Sequence, residues 1–265
     1  MEKEDLDFMQ RNKLADKFTS QRTQRCIDLM KPEVRALVHI PLQQKIEKSK
    51  EIIGEAVSRF KNPVMGFSGG TDSLVTLHLA LQVKSDLPVM FVDTIREFPE
   101  NYQFIQAIRE KWGIQTFVAV RRDKDRCDEY SAKLGYKTPE FMLEYCNDHK
   151  IVPMLDGLRR FGFDAMIAGV RGVEHEERAQ ESFFSPRSNP DHFRVHPILF
   201  WKREDIMEYV RINEIPVNPL YSKGYTSLGC TVCSAVNTDP NAHERAGRGI
   251  VRETVMKQLR KLGYN

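Results

Sequence analysis

A glycine- and serine-rich turn, FSGGTDS at residues 67–73, carries the densest set of groups able to do chemistry in this sequence. It lies between the apolar run VMGF and a helix-like pattern, so it leads into the N-terminal end of a helix. The first N–H groups of a helix lack partners and lie at the positive end of its dipole, which makes such a turn an anion site. Gly69 and Gly70 permit the tight turn. Three hydroxyl side chains add donors: Ser68, Thr71 and Ser73.

A simpler interpretation of the same turn stays open. The glycines could form only a turn, and Asp72 or Ser73 could serve only as a helix cap. The turn lacks the lysine of G-x-x-x-x-G-K-[ST], which excludes the phosphate loop of ATPases that cleave at the γ-phosphate. It also lacks G-x-G-x-x-G.

The five cysteines are the second chemical feature. An odd number disfavours a disulfide framework, and the acidic, polar N-terminus indicates a cytoplasmic protein rather than a secreted one. Cys230 and Cys233 have C-x-x-C spacing, which suits a metal, a cluster or a redox pair. For Cys26 and Cys127 an unligated thiol is the favoured interpretation.

A net charge of +3 neither demands nor excludes nucleic acid as a partner. Because no apolar stretch is long enough to span a bilayer, no membrane association is expected.

The elements that must position these groups alternate along the chain. We predict strands at residues 64–67, 87–93, 116–120 and 164–170, and helices at 46–60, from about 73, and at 99–113, 154–163, 203–214 and 252–263. Such alternation predicts an α/β fold, with a mainly parallel sheet and helices on both faces. We divide the chain into an N-terminal helical extension (1–45), a nucleotide-binding domain (46–212) and a C-terminal arm that carries the C-x-x-C (213–265).

Five segments resemble a known family. FSGGTDS resembles the S-G-G-x-D-S loop of the PP-loop ATP pyrophosphatases, which cradles the pyrophosphate part of ATP while the α-phosphate is attacked. FVDTIREFPENYQF, GVRGVEHEERA, VHPILFWKREDIMEYV and NPLYSKGYTSLGC extend the resemblance over most of residues 55–265. Together they resemble the branch that contains phosphoadenosine-phosphosulfate reductases, sulfate adenylyltransferase small subunits and DNA phosphorothioation enzymes. The resemblance implies an adenine nucleotide alpha hydrolase-like fold that binds ATP at the carboxyl ends of its strands.

The resemblance also implies a set of site residues, with ATP and Mg²⁺ as ligands. The implied nucleotide contacts are Ser68, Gly69, Gly70, Thr71, Asp72, Ser73, Asp93 and Gly169. The implied catalytic residues are Asp72, Arg171 and Arg178. Asp72 and Asp93 are candidates for metal or ribose contact. Seven residues apart, Arg171 and Arg178 would share a face of a helix and could hold phosphate or sulfate oxygens, although EHEER is also typical of a solvated charged helix.

For the cysteines the resemblance implies iron–sulfur chemistry. Cys146 falls where members of the branch carry the earlier cysteine of such a site, so Cys146, Cys230 and Cys233 would hold a [4Fe–4S] cluster with one iron free of a cysteine ligand. Cys127 or His149 as a fourth ligand, a zinc ion, and simple reduced thiols stay open as alternatives.

Two departures guide the choice within the branch. The reductases attack with a cysteine in a C-terminal E-C-G-x-H tail, whereas this sequence has no cysteine after Cys233. Sulfate adenylyltransferase small subunits share the E-R-x-G-R element but carry S-I-G-K-D-S at the loop and lack this C-x-x-C. We therefore expect an ATP pyrophosphatase that adenylates an oxygen acceptor for sulfur incorporation, as in DNA phosphorothioation. A cysteine desulfurase or other sulfur donor, DNA reached through modification partners, and a second copy of the chain are the expected partners.

Three other functions stay open at this point. They are a phosphoadenosine-phosphosulfate or adenosine-phosphosulfate reductase, a sulfate adenylyltransferase small subunit, and a non-catalytic nucleotide-binding regulator.

Overall fold

A six-stranded sheet lies at the centre of the computed structural model, which describes residues 20–238 and 243–264. The strands in these ranges are β1 (Pro63–Gly66), β2 (Val89–Val92), β3 (Phe117–Val120), β4 (Ala165–Ala168), β5 (Phe184–Arg187) and β6 (His192–Val195). They lie in the order β3-β2-β1-β4-β6-β5. Every neighbouring pair is parallel except β5 with β6. The predicted mainly parallel sheet is therefore confirmed.

Helices surround this sheet. They are α1 (Ser20–Leu29), α2 (Pro32–Arg35), α3 (Leu42–Arg59), α4 (Thr71–Val83), α5 (Pro99–Lys111), α6 (Cys127–Leu134), α7 (Pro139–Cys146), α8 (Val152–Phe161), α9 (Glu176–Ala179), α10 (Arg203–Ile212), α11 (Ile250–Thr254) and α12 (Met256–Lys261). A π-helical turn, Asn147–Ile151, joins α7 to α8. Within the described ranges, no helix has the length and apolar character needed to cross a bilayer.

Both faces of the sheet are covered, as the sequence predicts. Successive side chains of a strand point to opposite faces. Val64 and Met166 pack in one buried cluster with residues of α7, α8 and α12. Met65 and Ile167, their neighbours in the chain, pack in a second cluster with residues of α3, α4 and α10. The apolar strands are thus buried on both sides, which is why they read as short apolar runs.

Several elements differ from their predictions. The antiparallel hairpin β5–β6 was not predicted, because Pro186 interrupts its first strand; an edge strand tolerates this proline. Helix α6 was also not predicted. Helix α3 begins at Leu42 and crosses the predicted boundary after residue 45. The single helix predicted over 252–263 is divided at Val255 into α11 and α12.

The N-terminal extension is helical where it is described, in α1 and α2, and its residues 1–19 lie outside the described ranges. Cys26, Ile27 and Val34 are buried in the same cluster as Met65 and Ile167. This part of the extension therefore packs on the core of the sheet.

The strand order fixes where a ligand can bind. From β1 the chain moves outward through β2 and β3, and it then returns to place β4 on the other side of β1. In open α/β sheets ligands bind beyond the carboxyl ends of the strands at such a point of reversal. Residues at the ends of β1, β2 and β4 line a cavity of about 200 Å³ at this place, called here the main cavity.

Candidate functional site

The turn after β1 forms one wall of the main cavity. Gly69 has φ of 80°, and a Cβ placed there would lie 2.0 Å from Asn101 Oδ1, so only glycine fits. Ser73 Oγ donates a hydrogen bond to the carbonyl of Gly70 at 2.8 Å and accepts one from the amide of Ser68 at 3.2 Å. Helix α4 begins at Thr71, so its positive end faces the cavity. The strand, turn and helix start that the sequence predicts are all present.

Side chains from the C-terminal arm hold this turn in place. The hydroxyl of Tyr221 accepts a hydrogen bond from the amide of Thr71 at 3.0 Å. Asn218 Nδ2 donates to the carbonyl of Gly69 at 3.3 Å and to Asn101 Oδ1 at 2.9 Å. Both residues lie in the segment NPLYSKGYTSLGC, but its pattern alone does not distinguish them.

Gly169 lies where the end of β4 meets the start of α4. A Cβ at this glycine would lie 2.7 Å from the Asp72 carbonyl carbon and oxygen and from Ser73 Cα. These are backbone atoms that cannot move aside. The absence of a Cβ at Gly169 therefore permits the close approach of β4 and α4. Gly169, a predicted nucleotide contact, also lines the main cavity.

Arg171 and Asp72 meet in the wall of the cavity. Arg171 is 2% exposed, and its Nε donates to Asp72 Oδ1 at 2.9 Å. Its Nη2 donates to both carboxylate oxygens of Glu244 at 3.0 and 2.9 Å. Burial raises the pKa of Asp72 to about 6, against the opposing attraction of Arg171. The carboxylates of Asp72 and Glu244 thus surround a charge that is otherwise costly to bury.

Arg178 comes close to Arg171 by a route that differs from the prediction. The two arginines do not share a helix, because Arg171 precedes a 3₁₀ turn and Arg178 lies in the short helix α9. They meet instead at Glu174: Arg178 Nη1 donates to it, and Arg171 Nη2 lies 3.8 Å from its carboxylate. Burial opposes the charge on Glu174, but the guanidiniums of Arg178 and Arg171 hold its pKa below the usual value.

Buried donors without partners mark the ligand side of the cavity. Within the described part of the chain, the lining residues that carry such a group include Thr71 (Oγ1), Arg171 (Nη1), Thr226 (Oγ1) and Arg248 (Nε). Leaving a buried donor unpaired costs about 1–3 kcal/mol, so such groups normally face a ligand or water. Four donors, two of them on guanidiniums, suit an anion with several oxygens.

The other wall of the cavity is mostly apolar. It includes Met90, Phe91, Val92, Met154 and Met166. An apolar wall beside a cluster of cations matches a ligand with a flat base at one end and charge at the other.

Asp93 follows Val92, a residue that lines the main cavity, but is not itself in the lining, and its contact with metal or ribose stays a prediction. Its Oδ1 accepts hydrogen bonds from the amide of Ile95 at 2.7 Å and from the hydroxyl of Tyr102 at 2.6 Å. These bonds support Ile95 at φ of 68°, a strained conformation for a β-branched residue. The acid that faces the cavity from this loop is Glu97, whose pKa is raised by burial. Glu97 lies in the segment FVDTIREFPENYQF, where it was not predicted as a site residue.

The three predicted cluster ligands line a second cavity of about 10 Å³, called here the cysteine cavity. Cys230 Sγ lies 3.6 Å from Cys233 Sγ, and Cys146 lies in the same lining. The hydrogen bond between this pair lowers the pKa of the Cys233 thiol and raises that of Cys230.

The cysteine cavity brings together the three cysteines that the resemblance assigns to a cluster, and a cluster there stays a prediction. Its volume holds about one water molecule, whereas a [4Fe–4S] cluster adds four irons and four sulfides. Among the residues described, no three His, Cys, Asp or Glu side chains are grouped as metal ligands. His149 Nε2 accepts from the amide of Arg126 at 3.0 Å, and Cys127 lies outside the lining.

Comparison with known proteins identifies the family. The model of the phosphoadenosine phosphosulfate reductase domain matches residues 62–236, which is more than half of the chain. The chain belongs to this family. The matched range contains the turn after β1, Arg171 and all three residues of the predicted cluster site.

Curated relatives within the phosphoadenosine phosphosulfate reductase domain family carry two related names. The chain is 27% identical to an adenosine 5′-phosphosulfate reductase of Staphylococcus epidermidis over 214 residues, which cover 79% of this chain and 85% of the relative. It is 32% identical to a phosphoadenosine 5′-phosphosulfate reductase of Alkalilimnicola ehrlichii over 167 residues, or 63% of this chain and 67% of the relative. These names favour the reductase alternative over the DNA phosphorothioation that the sequence analysis preferred.

Solved structures support the fold. A phosphoadenylyl-sulfate reductase from Candida auris, in a phosphate complex, superposes with a TM-score of 0.56 at 20% identity and covers 72% of this chain and 94% of that one. An FMN adenylyltransferase from Candida glabrata, bound to FMN and an ATP analogue, gives 0.58 at 19% identity over 91% of both chains. At these identities the likeness establishes the fold alone.

Proposed function

We propose that this chain binds an adenylyl sulfate in the main cavity and takes part in reducing its sulfate group to sulfite. The observation that carries the proposal is the set of unpaired buried donors beside an apolar wall, on Thr71, Arg171, Thr226 and Arg248. This arrangement suits an adenine nucleotide whose anionic end bears several oxygens. The names of the curated relatives support the same substrate class.

The reaction has two sulfur-transfer steps. A thiolate attacks the sulfur of the sulfate, the bond from that sulfur to the phosphate oxygen breaks, and the adenosine monophosphate leaves with the electron pair. A second thiol then attacks the sulfur atom of the first thiol, which now carries the sulfonate group. A disulfide forms between the two thiols, and sulfite is released. Two thiols are oxidised, the sulfate sulfur gains two electrons, and the thiol protons pass to solvent.

We assign the two thiols to a separate dithiol reductant. Cys26, Cys127, Cys146, Cys230 and Cys233 all lie within the described ranges, and none of them lines the main cavity. The chain's own residues act by binding and electrostatics. The amides at the start of α4, with Arg171 and Arg248, would hold the anionic oxygens and stabilise the charge that develops on the departing phosphate.

A second candidate is the ATP pyrophosphatase reaction. The specific observation in its favour is the glycine turn at the start of α4, together with the Asp72 carboxylate in the same wall. Mg²⁺ is commonly held by one or two carboxylates and the substrate phosphates, so Asp72 could hold it once ATP is bound. DNA and a cysteine desulfurase, the partners expected from the sequence, belong to this second candidate.

One product assay separates the two reactions. The protein is incubated with sulfur-labelled adenosine 5′-phosphosulfate and dithiothreitol, and in parallel with ATP, Mg²⁺ and candidate acceptors. The proposal predicts labelled sulfite from the first mixture. Pyrophosphate from the second mixture, without sulfite from the first, would replace it by the second candidate. If neither product forms, the remaining candidate is a nucleotide-binding regulator.

A further inference from the structure

A buried arginine lies behind the apolar wall of the main cavity. The side chain of Arg194, on β6, is 0% exposed, and it forms no ion pair with any carboxylate that the structure describes. Burial lowers the pKa of Arg194 to about 9, and repulsion from Arg187 acts in the same direction. A buried cation without a counter-ion is costly to a fold. Its presence in the core therefore indicates a role beyond packing.

The hydrogen bonds of this guanidinium go to sulfur and nitrogen acceptors. Nη1 of Arg194 donates to Met166 Sδ at 2.9 Å, and Nη2 donates to Met154 Sδ at 3.0 Å. Nε donates to His192 Nε2 at 3.0 Å. Burial and the nearby guanidinium lower the pKa of His192 to about 4, so the ring is neutral and its Nδ1 donates to the carbonyl of Pro190 at 2.7 Å. This chain of bonds fixes the orientation of the guanidinium.

The two sulfur acceptors belong to the wall that faces the ligand. Met166 on β4 and Met154 on α8 both line the main cavity, whereas Arg194 does not. Arg194 Nη2 also lies 3.5 Å from the carbonyl of Gly263, and the next residue, Tyr264, lines the main cavity as well. One guanidinium thus contacts three separate segments that form the wall, from the side away from the ligand.

Methionine side chains need such an anchor if they are to present a defined surface. Methionine is unbranched and has three rotatable bonds, so it adapts to irregular gaps and fixes its own position poorly. The methyl group of Met166 lies over Gly66, where a Cβ would come within 2.2 Å of it, and Gly66 also lines the cavity. A hydrogen bond to the sulfur therefore fixes a methyl group at the ligand side of the wall. A wall that is already ordered loses less freedom when a ring packs against it.

We propose that Arg194 is a positioning residue for the base of the bound nucleotide. By holding the sulfurs of Met154 and Met166, it keeps the apolar wall in the shape that accepts a planar ring. The inference deepens the proposed function, and it rests on that function for the presence of an adenine nucleotide in the main cavity. Arg194 acts on the base end of the ligand and leaves the anionic end to the donors at the start of α4.

The test compares two probes that differ only in the base. Adenosine monophosphate carries the base, and ribose 5-phosphate has the same sugar phosphate without it. Calorimetric titration gives both dissociation constants, with ribose 5-phosphate measured by competition against adenosine monophosphate. In Arg194→Met we expect the dissociation constant of adenosine monophosphate to rise about fivefold, within the range of methionine–ring contacts, and that of ribose 5-phosphate to stay unchanged.

Two control variants separate this effect from a general loss of structure. Arg187 lies in the same hairpin and donates to Glu181 at 2.7 Å, but it does not line the cavity, so Arg187→Met should keep the wild-type ratio of the two dissociation constants. Thr71→Val removes an unpaired donor at the anionic end while keeping the shape of the side chain. It should weaken both probes by the same factor.

Variants of the methionines test the same contacts with the arginine in place. Met154→Leu and Met166→Leu remove one sulfur acceptor each and nearly conserve volume, so they carry the test even if Arg194→Met does not fold. Each should weaken adenosine monophosphate alone. Arg194→Met combined with Met166→Leu should lose less than the sum of the two single changes, because both remove the same hydrogen bond.

Methyl NMR gives a second readout that does not depend on affinity. The protein is labelled with ¹³C at the methionine methyl groups, and the two leucine variants assign the resonances of Met154 and Met166. Both resonances should shift when adenosine monophosphate is added, because a ring then lies beside them, and neither should shift with ribose 5-phosphate.

The contrary results are distinct. An unchanged ratio of dissociation constants in Arg194→Met, or in both leucine variants, would overturn the inference. Equal weakening of both probes in Arg194→Met would show a purely structural residue and overturn it too. A wild-type protein that binds neither probe would refute the proposed function itself, and the inference with it. Wild-type binding of both probes with equal affinity would refute only the role of the wall in holding the base.

Discussion

At the scale of single residues, the site depends on buried charges that hold one another in place. Arg171 is paired with Asp72 on one side and Glu244 on the other, and Glu244 also accepts from Arg203 Nη1 at 2.6 Å. Desolvating such a group is costly unless its partners stay in position. The guanidinium of Arg171 keeps one unpaired donor, Nη1, which explains how a residue of a structural ion pair can also contact a ligand.

Replacing Arg171 should therefore affect both stability and binding. Arg171→Met leaves Asp72 and Glu244 buried without their shared partner, so we expect a loss of about 3–5 kcal/mol in the free energy of unfolding and a loss of nucleotide binding. Arg211→Met is the matched control, because the exposed Arg211 pairs with Glu208 on its own helix. It should change stability by no more than about 0.5 kcal/mol. Equal effects from urea denaturation of the two variants would contradict this account.

Tyr264 gives the main cavity a titrating group. It lines the cavity, and its hydroxyl accepts a hydrogen bond from Arg252. Burial alone would raise the pKa of this phenol, but Arg252, Lys150, Arg248 and Arg178 lower it to about 7. Below that pH the phenol is neutral, and above it the phenolate adds a negative charge to an anion site.

The affinity for an anionic nucleotide should therefore fall as the pH rises through 7. Between pH 6 and 8 we expect the dissociation constant of wild type, relative to Tyr264→Phe, to rise about tenfold, corresponding to ~1.4 kcal/mol. Taking this ratio cancels the titration of the nucleotide's own phosphate. Tyr136→Phe changes an exposed tyrosine and should follow the wild type. Parallel pH profiles for Tyr264→Phe and the wild type would show that the phenol does not titrate in this range.

At the scale of elements, the turn before α4 depends on one glycine more than on its neighbour. Gly69 combines a positive φ with a Cβ position blocked by Asn101, whereas a Cβ at Gly70 would make only ordinary contacts at 3.6 Å. The sequence identified both as turn residues but could not rank them. The ranking depends on Asn101, a residue of α5 that only the folded chain brings beside the turn.

Gly69→Ala should lower the free energy of unfolding by at least ~2 kcal/mol and abolish nucleotide binding, because the backbone must leave the left-handed region and the turn must move. Gly54→Ala is the control. It lies inside α3 with no atom within 4 Å of its Cβ position, so alanine should stabilise the protein by about 0.5–1 kcal/mol. Thermal unfolding with and without adenosine monophosphate measures both. A Gly69→Ala protein that binds normally would contradict the role of the turn.

The elements that the sequence predicted are those whose pattern is set locally. Strands β1, β2 and β4 are short apolar runs because both of their faces are covered, and α4 follows from the turn before it. Hairpin β5–β6 lacks such a run, since it lies at the edge of the sheet and contains Pro186. Helix α7 continues through a π-helical turn, so its pattern of apolar residues does not repeat regularly.

At the scale of the whole molecule, the site is assembled from segments far apart in the chain. The sequence predicted the turn, Asp72, Gly169 and both arginines, which lie beside recognisable motifs. It did not predict Tyr221 or Glu244, because each acts through a tertiary contact: Tyr221 with the amide of Thr71, and Glu244 with Arg171. Glu97, whose hydrogen bonds are to the nearby Thr94 and Asn101, was also not predicted. Asp93 was chosen because it follows β2 directly, yet its hydrogen bonds turn it into a support for the loop.

Because the arm lines the main cavity, nucleotide binding should slow hydrogen exchange in it. We expect stronger protection at residues 226–229 and 244–248 when adenosine monophosphate is added, since both segments contribute lining residues. Hairpin β5–β6 contributes none and serves as the internal control. Protection confined to the hairpin, or unchanged exchange in the arm, would count against the arm as part of the site.

The central claim is that the main cavity holds the adenine nucleotide with its anionic end at the start of α4. A crystal structure with adenosine monophosphate tests it most directly, because this nucleotide is a product of both candidate reactions. The account predicts phosphate oxygens within hydrogen-bond distance of the amides of residues 70–73 and of Arg171, with the base against the apolar wall that includes Phe91. A nucleotide bound outside this cavity, or one whose phosphate lies away from α4, would contradict it.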